Sequence, residues 1–173
     1  MPYSLPACAM SVIYADLVGD AFAEKTERIA NRLGIDPDYL MAIMHFETGG
    51  TFSASVSHPQ SSATGLIQFL RGTARDLGTS VEALAQMTEL EQLEYVERYF
   101  APYADRIKTL EDAYMAVFWP RAIGRRPQYV LFSKKSAAYA ANRYLDRERK
   151  GFITKKDAAQ NVRRRYERAR REK

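Results

Sequence analysis

The chain has 173 residues, of which 46% are hydrophobic and 27% are charged. This balance is typical of a soluble globular protein that is long enough to bury a core in one domain. No apolar run approaches the length needed to cross a bilayer, which excludes a membrane-spanning helix. The single cysteine, Cys8, excludes an internal disulfide, so we expect a free structural thiol in a chain made in a reducing cytosol.

Positive charge is concentrated at the C-terminal end. The net charge is +5, yet residues 155–173 contain nine Lys or Arg and three Asp or Glu, so the preceding residues sum to −1. We therefore distinguish a nearly neutral domain, residues 1–154, from a basic helix, residues 155–173, which is part of the same domain or a tail. Such an end suggests an anionic partner, such as nucleic acid, a membrane surface or an acidic polymer. The alternative is a solvated, partly frayed terminal helix.

The N-terminal region predicts two helices, at residues 9–18 and 20–33, and the second ends at Gly34. The first residues lack a basic segment, and Tyr14 and Asp16 interrupt their apolar run. We therefore expect no cleaved signal peptide. This predicts a protein made in the cytoplasm without a signal for export.

The following helix has clear start and stop signals. Asp36 is a favourable N-cap, and Pro37 fits the first helical position. Gly49 and Gly50 predict the end of this helix. The spacing therefore predicts a helix that begins at residue 37 and carries Glu47 in its last turn.

A carboxylic acid ends the apolar face of this helix. Leu40, Ile43, Met44 and Glu47 are spaced i, i+3, i+4 and i+7, so they share one helical face. Desolvation disfavours the charged form of a carboxyl group, so the pKa of Glu47 should rise toward the range of a general acid. The alternative is a glutamate that simply reaches solvent at the last turn.

The rest of the chain predicts one long loop followed by helices. Residues 50–64 are rich in Ser, Gly and Thr and contain a proline, which predicts a loop, with room for a short hairpin, directly after Glu47. Four capping boxes predict the starts of later helices: Thr79 with Glu82, Thr88 with Glu91, Thr109 with Asp112, and Thr154 with Asp157. No alternating strand pattern is evident. The predicted fold is therefore mainly α, a single domain with little or no sheet.

Three segments carry a family signal. They are ETGG at residues 47–50, ATGLIQF at residues 63–69 and YMAVFWPRAIG at residues 114–124. Together they resemble the soluble lytic transglycosylase and goose-type lysozyme superfamily, and the specific resemblance covers residues 37–78. The last segment looks like a phage variant of the family's Ala-Tyr-Asn-Ala-Gly block. The resemblance implies a lysozyme-like catalytic domain that cleaves the β-1,4 bond between N-acetylmuramic acid and N-acetylglucosamine in peptidoglycan.

The resemblance also implies roles for particular residues. Glu47 would protonate the glycosidic oxygen as the leaving group departs. Thr48 and Gln68 match positions whose polar side chains line the family's saccharide cleft, and Gly65 would allow close approach of the backbone to a sugar. The alternatives are a turn hydroxyl for Thr48 and a helix-surface amide for Gln68.

One position departs from the family's pattern. Phe118 stands where the family usually has a tyrosine that helps to position the reacting sugar, so a hydroxyl is missing there. The resemblance implies that Tyr114 substitutes for it or that the role is absent. The alternative for both Tyr114 and Phe118 is plain packing on one helical face.

The distribution of acidic residues bears on the type of reaction. A two-carboxylate hydrolase needs a second Asp or Glu beside the bond, but no acidic residue lies between Glu47 and Asp76. A lytic transglycosylase needs only one, because the same glutamate acts first as acid and then as base while the C6 hydroxyl closes an anhydromuramyl ring. We therefore favour a transglycosylase. A hydrolytic muramidase remains open if a carboxylate such as Glu111 or Asp112 approaches from a distant segment.

No metal or cofactor site is predicted. Cys8, His45 and His58 lack metal-ligand spacing. Residues 146–157 resemble a degenerate EF-hand loop, but Lys150 places an ammonium group where an oxygen ligand belongs. We therefore interpret this segment as a capped turn.

The C-terminal helix and the late motif suggest a setting. Nucleic acid is disfavoured as a partner, since no recognised nucleic-acid fold accompanies the basic helix; anionic lipid or lipopolysaccharide fits its charge better. The Trp119-Pro120 form of the late motif looks phage-like. We expect an enzyme made in the host cytoplasm that reaches peptidoglycan by holin-dependent release, as an endolysin, or inside a virion. A non-catalytic peptidoglycan-binding or phage structural protein is the alternative.

Overall fold

The computed structural model describes residues 12–173, and these residues form a mainly helical structure with a two-stranded sheet. This confirms the predicted fold class, mainly α with little sheet. Cys8 and the first residues of the helix predicted at 9–18 lie outside the described part. Within it, no helix combines the length and the apolar character that crossing a membrane requires.

The longest connections lie between α3 and α4, residues 48–70, and between α7 and α8, residues 119–136. The α-helices are α1 (Ala15–Val18), α2 (Asp20–Leu33), α3 (Pro37–Glu47), α4 (Arg71–Asp76), α5 (Val81–Gln86), α6 (Glu89–Phe100), α7 (Leu110–Phe118), α8 (Ala137–Asn142) and α9 (Lys155–Glu172). Short 3-10 helices cover Ala101–Arg106, Pro120–Ala122 and Arg143–Leu145. The sheet pairs β1 (Val130–Ser133) with β2 (Phe152–Thr154) in antiparallel fashion. The helix predicted at 20–33 is confirmed by α2.

Helix α3 lies at the centre and packs against α2, α7 and α9. Its buried apolar side chains are Leu40, Met41, Ala42, Ile43 and Met44. The predicted start is confirmed, since the Asp36 side chain accepts a hydrogen bond from the Asp38 amide at 2.9 Å. Gly49 and Gly50 adopt φ values of +64° and +94° directly after the helix, where an L side chain would be strained. The core therefore determines where α3 runs, and the glycines determine where it stops.

The predicted long loop follows α3. Isolated antiparallel bridges join Ser57 to Thr64 and Thr64 to Phe69, so the segment folds back on itself without forming regular strands. The Thr64 amide donates to the Phe69 carbonyl at 3.1 Å, and the Phe69 amide donates back at 2.8 Å. These contacts return the chain to α4 beside the end of α3.

Two of the four predicted capping boxes are complete. At the start of α6, the Glu91 amide donates to the Thr88 hydroxyl at 3.2 Å, and the Thr88 amide donates to the Glu91 carboxylate at 2.8 Å. At the start of α9, Thr154 and Asp157 make the same exchange at 3.2 and 2.8 Å. Each box satisfies two amides that the first helical turn leaves without a partner.

The other two boxes differ from the prediction. The N-cap of α5 is Ser80, whose hydroxyl accepts from the Ala83 amide at 3.0 Å, so the predicted box of Thr79 with Glu82 is wrong. Thr109 caps α7 as predicted, but its partner does not complete the box. The Asp112 carboxylate instead accepts from the Lys108 amide at 3.1 Å and takes part in a buried ion pair.

The small sheet has no counterpart in the sequence prediction. Its strands are short, and the pairing shifts register between Val130 and Phe132, so neither strand shows a regular alternation of apolar and polar residues. Phe132 and Ile153 are nonetheless buried, at 5% and 0% exposed. The sheet therefore fastens the segment around α8 to the start of α9.

The segment that resembles an EF-hand loop is held by its own hydrogen bonds. The Asp146 carboxylate accepts from the Tyr139 hydroxyl at 2.8 Å and from the Lys150 and Gly151 amides at 2.9 and 2.7 Å. The Lys150 ammonium group donates to Asp157 at 2.9 Å. In the part of the chain that the structure describes, no group of three or more potential metal ligands is found.

The basic C-terminal helix is a packed element of the fold. One face of α9 is buried through Ala158, Ala159, Val162, Tyr166 and Ala169, and the helix lies against α3 and α7. At its first residue, the Lys155 ammonium group donates to the Arg125 carbonyl at 2.8 Å and forms an ion pair with Asp112. Both side chains are buried, and these bonds lower the pKa of Asp112 although burial itself opposes this. The pair therefore joins the N-terminal ends of α7 and α9.

We expect Lys155→Met to lower the free energy of unfolding by about 3–5 kcal/mol at neutral pH, because Asp112 would remain buried without its cation. Urea denaturation measures this loss. Arg168→Met is the matched control on the same helix, since it removes an exposed pair with Glu172 at 3.0 Å and should change stability little. Equal losses in the two variants would contradict a special contribution of the buried pair.

Candidate active site

Glu47 lies in a cleft of about 660 Å³. The cleft is bounded by the end of α3, the second half of the long loop, α7 and the 3-10 helix that follows α8. Its aromatic lining consists of Phe46, Phe69, Tyr99, Tyr114, Phe118 and Tyr144. The walls therefore combine aromatic rings with polar side chains, namely Ser61, Gln68, Thr73 and Asn142, as is typical of ligand sites.

Desolvation dominates the chemistry of the Glu47 carboxyl group. The mouth of the cleft leaves the residue partly accessible, but the surrounding protein atoms remove most of its hydration, and this burial raises its pKa to about 7. Among the described residues, none donates a hydrogen bond to the carboxylate or forms a salt bridge with it that would lower the pKa again. A substantial fraction of Glu47 is therefore protonated at neutral pH, as a general acid requires.

Glu47 is the only acidic residue among the described residues that line the cleft. Glu111 forms an ion pair with Arg163, and Asp112 is buried against Lys155, so neither residue reaches the cleft. Residues 1–11, which lie outside the described part, contain no Asp or Glu. The cleft therefore offers one carboxyl group.

Three tyrosine hydroxyls lie near this carboxyl group. Burial raises the pKa of Tyr99 to about 12, with smaller effects of Tyr103 and of the Glu47 charge. Burial and the Glu47 charge likewise raise the pKa values of Tyr114 and Tyr144. All three phenols therefore remain protonated at neutral pH. The Tyr99 hydroxyl donates to the Ala116 carbonyl at 2.6 Å, so only Tyr114 and Tyr144 can donate a hydrogen bond to a ligand.

Tyr114 and Phe118 both line the cleft, where the sequence placed them. Their rings stack at a centroid distance of 5.6 Å and an angle of 16°, and Phe46 packs edge-on against Tyr114 at 5.7 Å. The Tyr114 ring is buried. Its hydroxyl forms no hydrogen bond with a described residue, and the oxygen is still accessible to solvent. Tyr114 therefore combines a fixed ring with a hydroxyl that has access to the cleft.

Gln68 also lines the cleft, with its backbone in an unusual conformation. Its φ of +54° lies in the left-handed region, which is costly for a residue with a side chain. The nitrogen of its side-chain carboxamide donates to the backbone carbonyls of Val56 and Gly65 at 3.2 and 3.0 Å. These bonds hold the carboxamide against the loop, so the side chain enters the cleft in one fixed orientation.

Thr48 does not line the cleft, contrary to the prediction. It is 3% exposed, and its hydroxyl donates to the Met44 carbonyl at 2.7 Å and accepts from the Phe52 amide at 2.9 Å. Both partners belong to the end of α3 and the start of the loop. The prediction that Thr48 lines the saccharide cleft is therefore wrong, because its hydroxyl is bonded to backbone groups at the end of α3.

Gly65 is likewise absent from the cleft lining, and its conformation serves a different contact. It is buried with φ of +79°, and a Cβ atom there would collide with the Gln92 side-chain oxygen. Gln92 is fully buried, accepts from the Leu66 amide at 2.6 Å and donates to the Ala54 and Leu84 carbonyls at 3.0 and 2.9 Å. The close approach at Gly65 is therefore to this glutamine, which ties the loop to α5 and α6.

Sequence reasoning missed Tyr99, Tyr144 and Gln92. Tyr99 follows the apolar period of α6, so the pattern indicates a core residue. Gln92 lies between core positions of the same helix, and nothing in the neighbouring sequence predicts its hydrogen bonds. Tyr144 belongs to a short 3-10 helix far along the chain, where no periodic pattern points to it. The fold brings Tyr99 of α6 and Tyr144 into the cleft lining with Glu47, whereas Gln92 does not line the cleft.

No family model and no curated protein matches the chain. The functional assignment therefore rests on the chemistry of the cleft. That chemistry is one carboxyl group with a raised pKa, the protonated phenols of Tyr114 and Tyr144, and walls of aromatic and polar side chains. Such an arrangement can donate a proton to a polar ligand that stacks against the aromatic rings.

We expect Gly65→Ala to lower the free energy of unfolding by more than about 2 kcal/mol, because it combines left-handed strain with displacement of the buried Gln92 amide. Gly72→Ala is the matched control: it lies within α4, an added methyl group there would meet no neighbouring atom within 4 Å, and the change should be neutral or slightly stabilising. Urea denaturation of both variants provides the comparison. If Gly65→Ala is tolerated as well as Gly72→Ala, the role assigned to this contact is wrong.

Proposed function

We propose that this protein is a peptidoglycan lytic transglycosylase with a lysozyme-like architecture. Its substrate is the glycan strand, and it cleaves the β-1,4 bond between N-acetylmuramic acid and N-acetylglucosamine. The resemblance of residues 37–78 and 114–124 to the soluble lytic transglycosylase superfamily suggested this reaction. The observation that carries the proposal is the single carboxyl group of the cleft, Glu47, with its pKa raised to about 7.

The first step is acid catalysis. The protonated Glu47 carboxyl donates its proton to the glycosidic oxygen, the bond between that oxygen and C1 of the muramyl sugar breaks, and positive charge develops at C1. The sugar's own N-acetyl group stabilises that charge. Because the carboxyl is protonated in the free cleft, no second residue has to supply this proton.

The second step reuses the same residue as a base. The C6 hydroxyl of the muramyl sugar attacks C1, its proton passes to the Glu47 carboxylate, and a 1,6-anhydromuramyl end forms. No water is consumed, and Glu47 returns to its starting protonated state. The phenols of Tyr114 and Tyr144 are candidates to donate hydrogen bonds to the sugar. Phe118 has no hydroxyl and therefore does not donate a hydrogen bond.

The choice of transglycosylase over hydrolase rests on the carboxylate count. A hydrolytic muramidase needs a second carboxylate to activate water or to stabilise the charge at C1. Glu111 and Asp112, the distant candidates, are held by Arg163 and Lys155 outside the cleft. Ring closure by the substrate's own hydroxyl makes that second group unnecessary.

The setting we propose is a phage enzyme, either an endolysin released by a holin or a virion-associated protein that acts on the host wall. The late motif with Trp119 and Pro120 motivates this. A secondary partner is anionic lipid or lipopolysaccharide, attracted by exposed cations of α9 that form no salt bridge with a described residue, namely Lys156, Arg164, Arg170 and Arg171.

Mass spectrometry of the soluble products from purified peptidoglycan tests the proposal. We expect wild type to release anhydromuramyl ends and Glu47→Gln to release none, a loss of at least about a thousandfold in rate because the only proton donor is removed. Glu111→Gln is the control, and it should keep the wild-type products.

Other outcomes separate the alternatives. Reducing muramic ends would make the protein a hydrolase and contradict the single-carboxylate mechanism. Absence of products from a folded wild type that still binds glycan strands would favour a non-catalytic binding or structural protein. Product formation by Glu47→Gln at the wild-type rate would contradict the assignment of the acid.

A further inference from the structure

A second concave surface adjoins the cleft. This groove, of about 1050 Å³, is lined by Lys134, Arg143, Arg147 and Arg149 together with Tyr139, Ala140, Tyr144 and Asp146. Tyr144 also lines the cleft, and Asn142 lines the cleft directly before Arg143. The two concavities therefore meet at Tyr144, which is 69% exposed. We call the second one the basic groove.

No described carboxylate neutralises the positive charge of the basic groove. Its four cationic side chains form no salt bridge with any described residue, although other Lys and Arg of the protein do. Its one carboxylate, Asp146, is 5% exposed and already accepts three hydrogen bonds, from Tyr139, Lys150 and Gly151. Lys150 in turn is paired with Asp157. The groove therefore offers positive charge without a competing anion.

The backbone and neighbouring side chains hold these cations in place. The Arg147 guanidinium donates to the neutral amides of Gln160 and Asn161 at 2.8 and 2.5 Å, which orient it and leave its charge available. Arg149 has φ of +56°, a conformation that costs free energy for a residue with a side chain. Lys134 packs over Gly151, where a Cβ atom would meet its side chain at 2.8 Å. Neighbouring groups therefore hold two of the four cationic side chains, those of Arg147 and Lys134.

We propose that the basic groove binds the carboxylates of the acidic peptide that substitutes the muramyl sugar of the substrate. This rests on the proposed function, since the sugar must occupy the cleft. A group attached to a sugar beside Tyr144 enters the groove without leaving the protein surface. Guanidinium groups match carboxylates in shape and charge, and several of them together favour a peptide with more than one free carboxylate.

The groove accordingly selects among glycan strands. Strands that carry peptides gain contacts in the cleft and in the groove, while strands without peptides gain only the former. The groove also determines which sugar of a strand lies beside Glu47, because only the muramyl sugars bear peptides. The peptide therefore contributes to the register of cleavage along the strand.

The test compares two glycan substrates in an inactive background. Soluble strands with their peptides, and the same strands after an amidase has removed the peptides, are titrated against Glu47→Gln at low salt. Adding Arg143→Gln and Arg147→Gln should weaken binding of peptide-bearing strands at least about tenfold and leave binding of stripped strands unchanged. The control adds Arg164→Gln and Arg171→Gln, which lower the net charge equally on α9 and should leave both affinities within about twofold.

The proposal is overturned if the groove variant weakens binding of both kinds of strand equally, or if the control weakens binding as much. It is also overturned if a phosphate polymer displaces the strands as effectively as free acidic stem peptide does, because the groove would then be a general anion site. An unchanged urea midpoint of the groove variant shows that folding is intact.

Product analysis keeps this proposal separate from the reaction. If the wild type makes anhydromuramyl ends but binds peptide-bearing and stripped strands equally well, the groove proposal alone is overturned. Selective binding by a protein that makes no such ends would overturn the reaction and leave the groove as a peptide site.

Discussion

The removal of water from one carboxyl group is the constraint on which the rest of the site depends. Glu47 ends α3, whose residues Leu40 to Met44 are buried, and no described side chain compensates its charge, so burial alone raises its pKa to about 7. An arginine or lysine at hydrogen-bonding distance would lower that pKa and remove the proton that the proposed chemistry needs. The aromatic lining of the cleft thus has two effects: it offers surfaces on which a sugar can stack, and it keeps the acid protonated.

The walls of the cleft come from distant parts of the chain, and two buried polar contacts hold them. Gln92 bonds three backbone groups from the loop and α5, so the loop that carries Gln68 stays against α6. The pair of Lys155 with Asp112 fastens α9 to α7, the helix that carries Tyr114. Both contacts lie outside the cleft. The Gln92 bonds hold one wall, the loop, against α5 and α6, and the ion pair holds α7, another wall, against α9 behind the cleft.

Local signals in the sequence predicted the elements much better than the assembled site. Asp36 and Pro37 predicted the start of α3, and its apolar period placed Glu47 at the end of the buried face. The resemblance to the transglycosylase superfamily assigned Thr48 and Gly65 to the cleft, but the Thr48 hydroxyl bonds the Met44 carbonyl, and Gly65 lies against the Gln92 side-chain amide. Such competition between partners depends on packing, which a local pattern does not record. The contribution of Tyr144 depends on how the segment after α8 folds across the cleft, and the two short strands that hold that segment have no periodic signal.

A carbon-13 NMR titration of the glutamate side-chain carboxyls tests the central claim most directly, with the Glu47 resonance assigned by its absence from Glu47→Gln. The account predicts a midpoint of about 7 for Glu47, since burial disfavours its anionic form and the group releases its proton around neutral pH. Glu82 serves as the internal reference, because its own backbone amide and Arg71 lower its pKa below the ordinary value. A Glu47 midpoint near 4.5, the ordinary value for a glutamate, would contradict the account, since the cleft would then hold a carboxylate with no proton to donate.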